Sequence, residues 1–598
     1  EEEPASKVFA SLGGLDRQHG WRRSSLLAAY RFYGDTPIKG FGPGGNVRVE
    51  TDIPPLSYNI IRSVTDTVHA ETVQSRPRPM FLTSGGTWEE RERAKQLTKF
   101  SDGCFYQAGG DAVTSAACRD AVLFGDGLVK VFEDDGEVCI ERVLPGEVYV
   151  DAYDAREGKP RSLYQVKHVD RSVLLARYPE HREVILGATD DADWIRSWSL
   201  VDTDSDLVAV VEAWHLPSSK KAKDGRHVIA LSSGALLDED WEDQTFPFAH
   251  LSWASPVIGF WTTGAAEQLA GLQYEINTLL EKIREHQDNF GSGYLLCADG
   301  SEPRGHNSDE IGRVVTFKPM AGPPPVAVMP QVVSRDTYEQ LDRYYAKAFE
   351  LFGVSQLAAQ AQKPAGLDSG KALRTYADIQ SKRFLAFGRA WEQFHMDIAK
   401  LVVACARRIA ADDPTFSVVY RDSSTAERIE WSKVDLDDQD YVLKVYPVSA
   451  LGNTPAGRLA SLQDLFATQI IDQKTFARLS EFPDLESAMD LDSAPHEVID
   501  KLLGRMVSTG KYQSPEPFFD LEDAKTTGVK AYNKAVLEDV PDARLDLLRE
   551  WIQACDELLN AAAPPPAPPA VEQPLPPDVG GLPPGAPPGA PPPLPMAA

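Results

Sequence analysis

A chain of 598 residues, 42% hydrophobic and 25% charged, has room for about three or four domains of ~150 residues each. Its net charge of −28 argues against a protein that grips nucleic acid, because affinity for phosphates needs a basic footprint. No run of about 18 apolar residues occurs, and the opening Glu1-Glu2-Glu3-Pro4 lacks the basic start and apolar core of a secretory signal.

In chain order, residues 1–57 read as mixed, with loops at Gly40-Phe41-Gly42-Pro43-Gly44-Gly45 and Pro54-Pro55. Ile60, Ile61, Val64 and Val68 share a helical face that closes before Arg76-Pro77-Arg78-Pro79. Thr87-Trp88-Glu89-Glu90 is a capping box opening the next helix, and another runs from Asp111 towards Phe124. The period then drops to two. Leu128–Phe132 and Glu137–Glu141 flank Asp134-Asp135-Gly136, a hairpin signal. Further strands are expected at Glu147–Val150, Leu163–Val169, Leu207–His215 and His227–Leu231, with a short helix at Ser172–Tyr178.

After Trp253 the helical period returns. Leu269, Leu272, Ile276, Leu279 and Ile283 form a narrow stripe on a helix over residues 262–290, and Tyr338, Leu341, Tyr345, Ala348 and Phe352 form one over 334–352. Between them lie short strand patterns, Tyr294–Cys297 and Gly312–Phe317, ended by prolines, so a compact β insert projects from a helix pair. A polar Gln/Ala/Gly loop follows. From Pro364 to Asp412 the chain runs without an internal proline, with Phe384, Phe387, Trp391, Phe394, Ile398, Leu401, Cys405 and Ile409 at gaps of three and four. Asp368 or Ser369 caps this helix and Asp413-Pro414 stops it; at roughly 60 Å it reads as a strut across an assembly. Strands at Phe416–Tyr420 and Tyr441–Val445 precede a helical part from Leu451 to Asn560, and residues 561–598 are an extended proline-rich tail expected to be disordered.

Catalytic signatures are missing. Gly366-Leu367-Asp368-Ser369-Gly370-Lys371-Ala372 is one residue short of a phosphate-binding loop and lacks its terminal hydroxyl. No GxSxG or HExxH motif occurs, and no GxGxxG opens a helix after a strand. Asp238-Glu239-Asp240-Trp241-Glu242-Asp243 lacks the glycine and ligand spacing of a calcium loop and reads as a solvated turn. The six cysteines show no CxxC spacing and read as reduced core thiols of an intracellular protein; His395 reads as an interhelical polar contact. No enzyme, metal or cofactor is expected.

The order of these pieces resembles a portal protein of tailed double-stranded DNA bacteriophages, over roughly residues 57 to 560. The resemblance rests on Tyr58-Asn59-Ile60-Ile61-Arg62, Arg76-Pro77-Arg78-Pro79 and Glu92-Arg93-Ala94. It continues through Leu144-Pro145-Gly146-Glu147-Val148-Tyr149-Val150-Asp151, Lys159-Pro160-Arg161 and Val211-Glu212-Ala213-Trp214-His215-Leu216-Pro217. Most telling are Gly264-Ala265-Ala266-Glu267-Gln268-Leu269 with Gln273-Tyr274-Glu275-Ile276-Asn277, then Leu367-Asp368-Ser369-Gly370-Lys371-Ala372-Leu373-Arg374. The implied fold is α+β. It comprises a wing (1–261), a stem of two helices (262–290 and 334–353), a β clip between them (291–333) and a tunnel loop (354–367). A long bridging helix with wing return strands (368–450), a helical crown (451–562) and the tail (563–598) complete it.

The resemblance further implies a ring of about twelve copies at one capsid vertex of the virion, assembled in the host cytoplasm. Double-stranded DNA passes through the ring during packaging and ejection. The implied partners are the terminase large subunit, the major capsid and scaffolding proteins, and a head-completion or tail adaptor protein. A strongly negative tunnel would let DNA slide without sticking. On this reading Gln360, Gln362 and Lys363 in the tunnel loop and Lys371 just beyond it are DNA-channel residues, with Lys363 and Lys371 as sparse DNA contacts or simply solvated lysines. Arg304, His306 and Arg313 in the clip are candidates for terminase or adaptor docking, against ordinary exposed side chains. The apolar stripes of the stem are expected to need neighbouring copies to cover them. The alternative function is a capsid-associated scaffold or adaptor without a DNA channel.

Overall fold

A computed structural model describes residues 3–34, 58–74, 76–83, 87–189, 206–290, 294–296, 326–328, 333–354, 384–421, 426–434, 436, 441–446, 463, 466, 496 and 498–562. The chain divides into two compact units, Glu1–Phe482 and Pro483–Ala598. The tunnel-loop residues, the clip candidates Arg304, His306 and Arg313, the start of the long helix and the proline-rich tail lie outside the described residues.

The first unit opens on a helix, α1 (Pro4–Gly34), where the sequence pattern points to mixed chain. Its buried residues Ala5, Val8, Leu12, Leu15, His19, Arg22, Leu26 and Ala29 keep helical spacing throughout. His19 and Arg22 occupy two slots of that stripe, and Gly13, Gly14 and Gly20 lower its helix propensity, which hid it. Its first half packs on a sheet through Leu12 and Leu15, while Leu26 and Ala29 join the main core. Helix α2 (Ile60–Val73) is capped by Asn59, whose side chain accepts from the Arg62 N–H at 2.8 Å. The expected capping box holds at α3 (Trp88–Gln107): Thr87 N–H donates to Glu90 at 2.7 Å. Helix α4 (Gly110–Phe124) ends at Gly125, in left-handed backbone at φ 102°.

Strands β1 (Asp126–Asp134) and β2 (Glu137–Val143) form the expected hairpin. Asp135 and Gly136 both have positive φ, 50° and 74°, the geometry that matches the twist of a two-residue hairpin. A strand not foreseen, Phe248–Ser252, pairs with β1 on its other side. Beside this sheet lies an antiparallel five-stranded one, running Val148–Tyr149, Ser162–Asp170, Leu207–His215, Arg226–Leu231 and Gly234–Asp240 in that order. The last of these corrects a reading: Asp238, Glu239 and Asp240 stand on a strand, not a turn. Arg226 pairs with Asp238 and Asp240, and His227 with Glu239 at 2.7 Å.

The two striped helices are present as α5 (Ala265–Phe290) and α6 (Arg335–Phe352). Most of each stripe is covered within the chain, while Tyr338 at the start of α6 stays 40% exposed. Leu269, Ile276, Leu279 and Ile283 on α5, and Leu341, Ala348, Phe349 and Phe352 on α6, are buried within the same chain's main core. Helices α1, α2 and α4 pack against α5, and Trp253 stacks on Phe352 at 4.8 Å. The insert between the helices shows one described pair, Tyr294–Leu296 with Val326–Val328.

The long helix is described as α7 (Leu385–Asp412), 28 residues and about 42 Å. Phe387, Trp391, Phe394, Ile398, Val402, Cys405 and Ile409 are buried, and the helix packs on β1 and the Phe248–Ser252 strand. Over these residues it is a core helix, not a strut between copies. It stops as expected, with Asp413 N–H donating to Ile409 O at 2.8 Å before Pro414. His395 makes its hydrogen bond inside this helix, Nδ1 to Trp391 O at 3.0 Å, and only its ring reaches another helix, at Phe105 of α3. The second unit contains helical residues 498–509, α8 (Leu521–Leu537) and α9 (Asp542–Ala562), packed around Leu548, Trp551 and Cys555.

Candidate functional site

The most elaborate polar construction among the described residues lies where α1, the start of β1 and the loop before α5 meet. Three glycines make the close approach possible. A Cβ on Gly125 would stand 2.4 Å from Thr262 O, and one on Gly264 would stand 2.3 Å from Leu123 O. At Gly127 a Cβ would fall 2.0 Å from Ala117 O. The loop therefore seats its Thr262 N–H on the Asp126 carboxylate at 3.0 Å.

Asp126 is fully buried and also receives His250 Nε2 at 3.0 Å. Arg22 of α1 enters from the other side. Its guanidinium carbon lies 3.3 Å above the Trp261 ring, Nη1 donates to Pro145 O at 2.8 Å, and Nη2 stands 4.0 Å from Asp126. Burial pulls the Arg22 pKa down to about 10, with Asp126 opposing, so the cation persists at neutral pH. A buried cation held by a carboxylate, a carbonyl and an aromatic face fixes three distant stretches of chain against one another. One turn earlier His19 meets Val150 O at 2.8 Å, and burial lowers its pKa.

These groups border a cavity of about 270 Å³, walled by Leu26, Leu123, Phe124, Val150 and Phe260, with Trp21 and Ile258 also lining it. The Trp261 indole N–H, buried at the same cavity, has no partner among the described residues. The arrangement does not suit nucleophilic catalysis. Ser252 and Asp126 both approach His250 at Nε2, whereas a serine relay needs its acid and its hydroxyl on opposite ring nitrogens. The thiols of Cys104 and Cys118 are pushed up by burial, away from the thiolate. Among the described residues no group of three or more His, Cys, Asp or Glu side chains gathers as a metal site, and no helix is long and apolar enough to cross a membrane.

The sequence-predicted site residues Gln360, Gln362, Lys363, Lys371, Arg304, His306 and Arg313 lie outside the described residues, so this geometry neither gathers nor separates them. Sequence reasoning passed over Arg22, Asp126 and Trp261. The available signal was a charged residue at a core slot: Arg22 continues the helical spacing of Leu12, Leu15 and His19 towards Leu26 and Ala29. A search of curated proteins finds no match to the chain. Residues 14–251 match the family model described as Phage P22-like portal protein, and on that match the resemblance to phage portal proteins read from the sequence holds.

Proposed function

We propose that the chain is a portal protein: a structural, non-enzymatic subunit of a ring at one capsid vertex through which double-stranded DNA is packaged and ejected. The observation that carries this reading is the portal family match over residues 14–251, which takes in the latter two thirds of α1, the hairpin and the five-stranded sheet. The mixed α/β architecture is compatible with it. In this assignment residues 1–261 are the wing, 262–290 and 334–353 the stem, 291–333 the clip, 354–367 the tunnel loop and 451–562 the crown. Gln360, Gln362, Lys363 and Lys371 face the passing DNA, and Arg304, His306 and Arg313 meet the terminase large subunit or the adaptor. The capsid and scaffolding proteins surround the ring.

Net charge supports the conduit over a binding protein. Carboxylates outnumber lysine and arginine by 89 to 61, so a channel built from this chain favours sliding of phosphates over capture. Electron microscopy of the purified protein tests the reading. Rings with a central hole are expected; a discrete monomer under all assembly conditions overturns it.

A further inference from the structure

A ring needs each copy to present two different surfaces, one given and one received. With most of the α5 and α6 stripes covered from within, the receiving surface is sought elsewhere among the described residues. This inference rests on the ring assembly proposed above.

We propose that the mouth of the α1 cavity is that receiving surface, and that it takes an apolar, acid-flanked part of a second copy of the same chain. Four large apolar side chains stand uncovered around it. Trp21 is 64% exposed, Tyr153 87%, Ile258 65% and Val257 fully exposed. The structure draws them together. Gln18 Nε2 donates to Asp151 at 3.3 Å, tying the turn that bears Tyr153 to α1. Gly259 N–H donates to Arg156 O at 2.9 Å, tying that turn to the loop that bears Val257 and Ile258. Exposed aromatics and aliphatics beside a preformed cavity have the make-up of a protein-binding hot spot, with Trp and Tyr as anchors.

Charge selects the occupant. Arg17, one helical turn before Trp21, and Arg156 and Lys159 on the adjoining turn are exposed, and none has an ion pair among the described residues. Of the carboxylates nearby, Asp151 and Asp154 already accept backbone N–H groups, which leaves exposed Glu157 and Glu267 beside the three cations and makes the unengaged charge of this rim net positive in a chain with 89 carboxylates and 61 lysine and arginine residues. Another copy of this acidic chain supplies the carboxylates that these cations lack. The Trp261 N–H at the cavity, unpartnered among the described residues, gives an incoming backbone carbonyl or carboxylate a donor to meet.

The test compares full-length wild type with Trp21→Ser, Ile258→Asp and the charge-reversed pair Arg17→Glu/Arg156→Glu, by sedimentation velocity and electron microscopy. All four sites are exposed, so the melting curves are expected to match wild type. The expected result is a concentration for half-assembly raised about tenfold or more in each variant, with the charge-reversed pair showing a weakened salt dependence. Variants that form rings at the wild-type concentration overturn the proposal. A wild type that never forms rings instead removes the portal reading beneath it. As a measurement independent of substitution stability, a photoreactive benzoylphenylalanine at position 21 is expected to crosslink to a second copy. Crosslinks confined to its own chain overturn the proposal.

Discussion

Glu147 is a carboxylate placed where it costs stability. Burial raises its pKa to about 7, against the opposing pull of a hydrogen bond from Gln165 Nε2 at 3.2 Å and the charge of Lys167. The ordinary value is 4.5, so between pH 4.5 and about 7 the folded state holds a proton that the unfolded state has released. Stability from this group therefore rises as pH falls through that window, and the penalty is complete above it. Glu147→Gln is expected to stabilise the protein at about pH 8 by up to ~3 kcal/mol and to change little near pH 4, read from denaturant midpoints. His395 works in the opposite sense. Its Nδ1–H donates to Trp391 O, leaving Nε2 buried with no partner among the described residues. Burial drops its pKa from 6.5 to about 4, so folding resists protonation and stability is lost as pH falls through that interval. His395→Leu is expected to flatten the acid limb of the stability profile while leaving the value above pH 7 within about 1 kcal/mol. A wild-type profile that looks flat near pH 6 conceals both slopes, and the two variants should tilt it in opposite directions.

At the scale of elements, the turn from α4 into β1 is the least forgiving joint in the first unit. Gly125 combines φ 102° with a clash of any Cβ against the Thr262 backbone, and neither strain has a flexible side chain to absorb it. Gly125→Ala is expected to cost about 3 kcal/mol or more and to show as loss of soluble protein, whereas Gly136→Ala, strained in φ but with open space around it, should cost only about 1 kcal/mol. Asp126→Ala would leave Arg22 buried without its carboxylate, at an expected cost of about 3–5 kcal/mol in chemical denaturation. None of this joint was legible beforehand, and the reason is distance along the chain. Arg22 and Trp261 stack although the three-stranded and five-stranded sheets lie between them in sequence, and no periodicity encodes such a pairing. Signals that act within a turn or two were readable. Thr87 and Glu90 announced a capping box, and Asp135-Gly136 announced a hairpin through backbone preferences carried by the residues themselves. Helix α1 fell between these cases: its stripe is regular, but two slots hold His19 and Arg22, whose burial depends on Val150, Pro145 and Asp126 far downstream. The stripes of α5, α6 and α7 were read correctly as apolar faces; what those faces packed against was not a property of the helices alone.

For the whole molecule, the division into two compact units leads to the expectation of two separate unfolding transitions. The second unit carries a single tryptophan of its own, Trp551, fully buried between α8 and α9, with its indole N–H donating to Ala524 O at 3.3 Å. Gly528 lets the ring lie close, since a Cβ there would sit 3.1 Å from it. Lys525 pairs with Asp556 at 2.6 Å, and His496 meets Asp523 at 2.6 Å, so this unit is closed by its own contacts. The first unit gathers most of its helices and the β1 hairpin on one main core, with smaller clusters around the five-stranded sheet. Trp551→Ala should remove about 3–5 kcal/mol from the second unit alone. In calorimetry of the full chain, one transition is expected to fall by several degrees while the other stays in place. A uniform shift of the whole profile would mean that the two units fold as one. In a ring the distinction has a consequence: the surface around Trp21 belongs to the first unit, so rings assembled through it should survive the Trp551→Ala change at temperatures where the second unit has already unfolded.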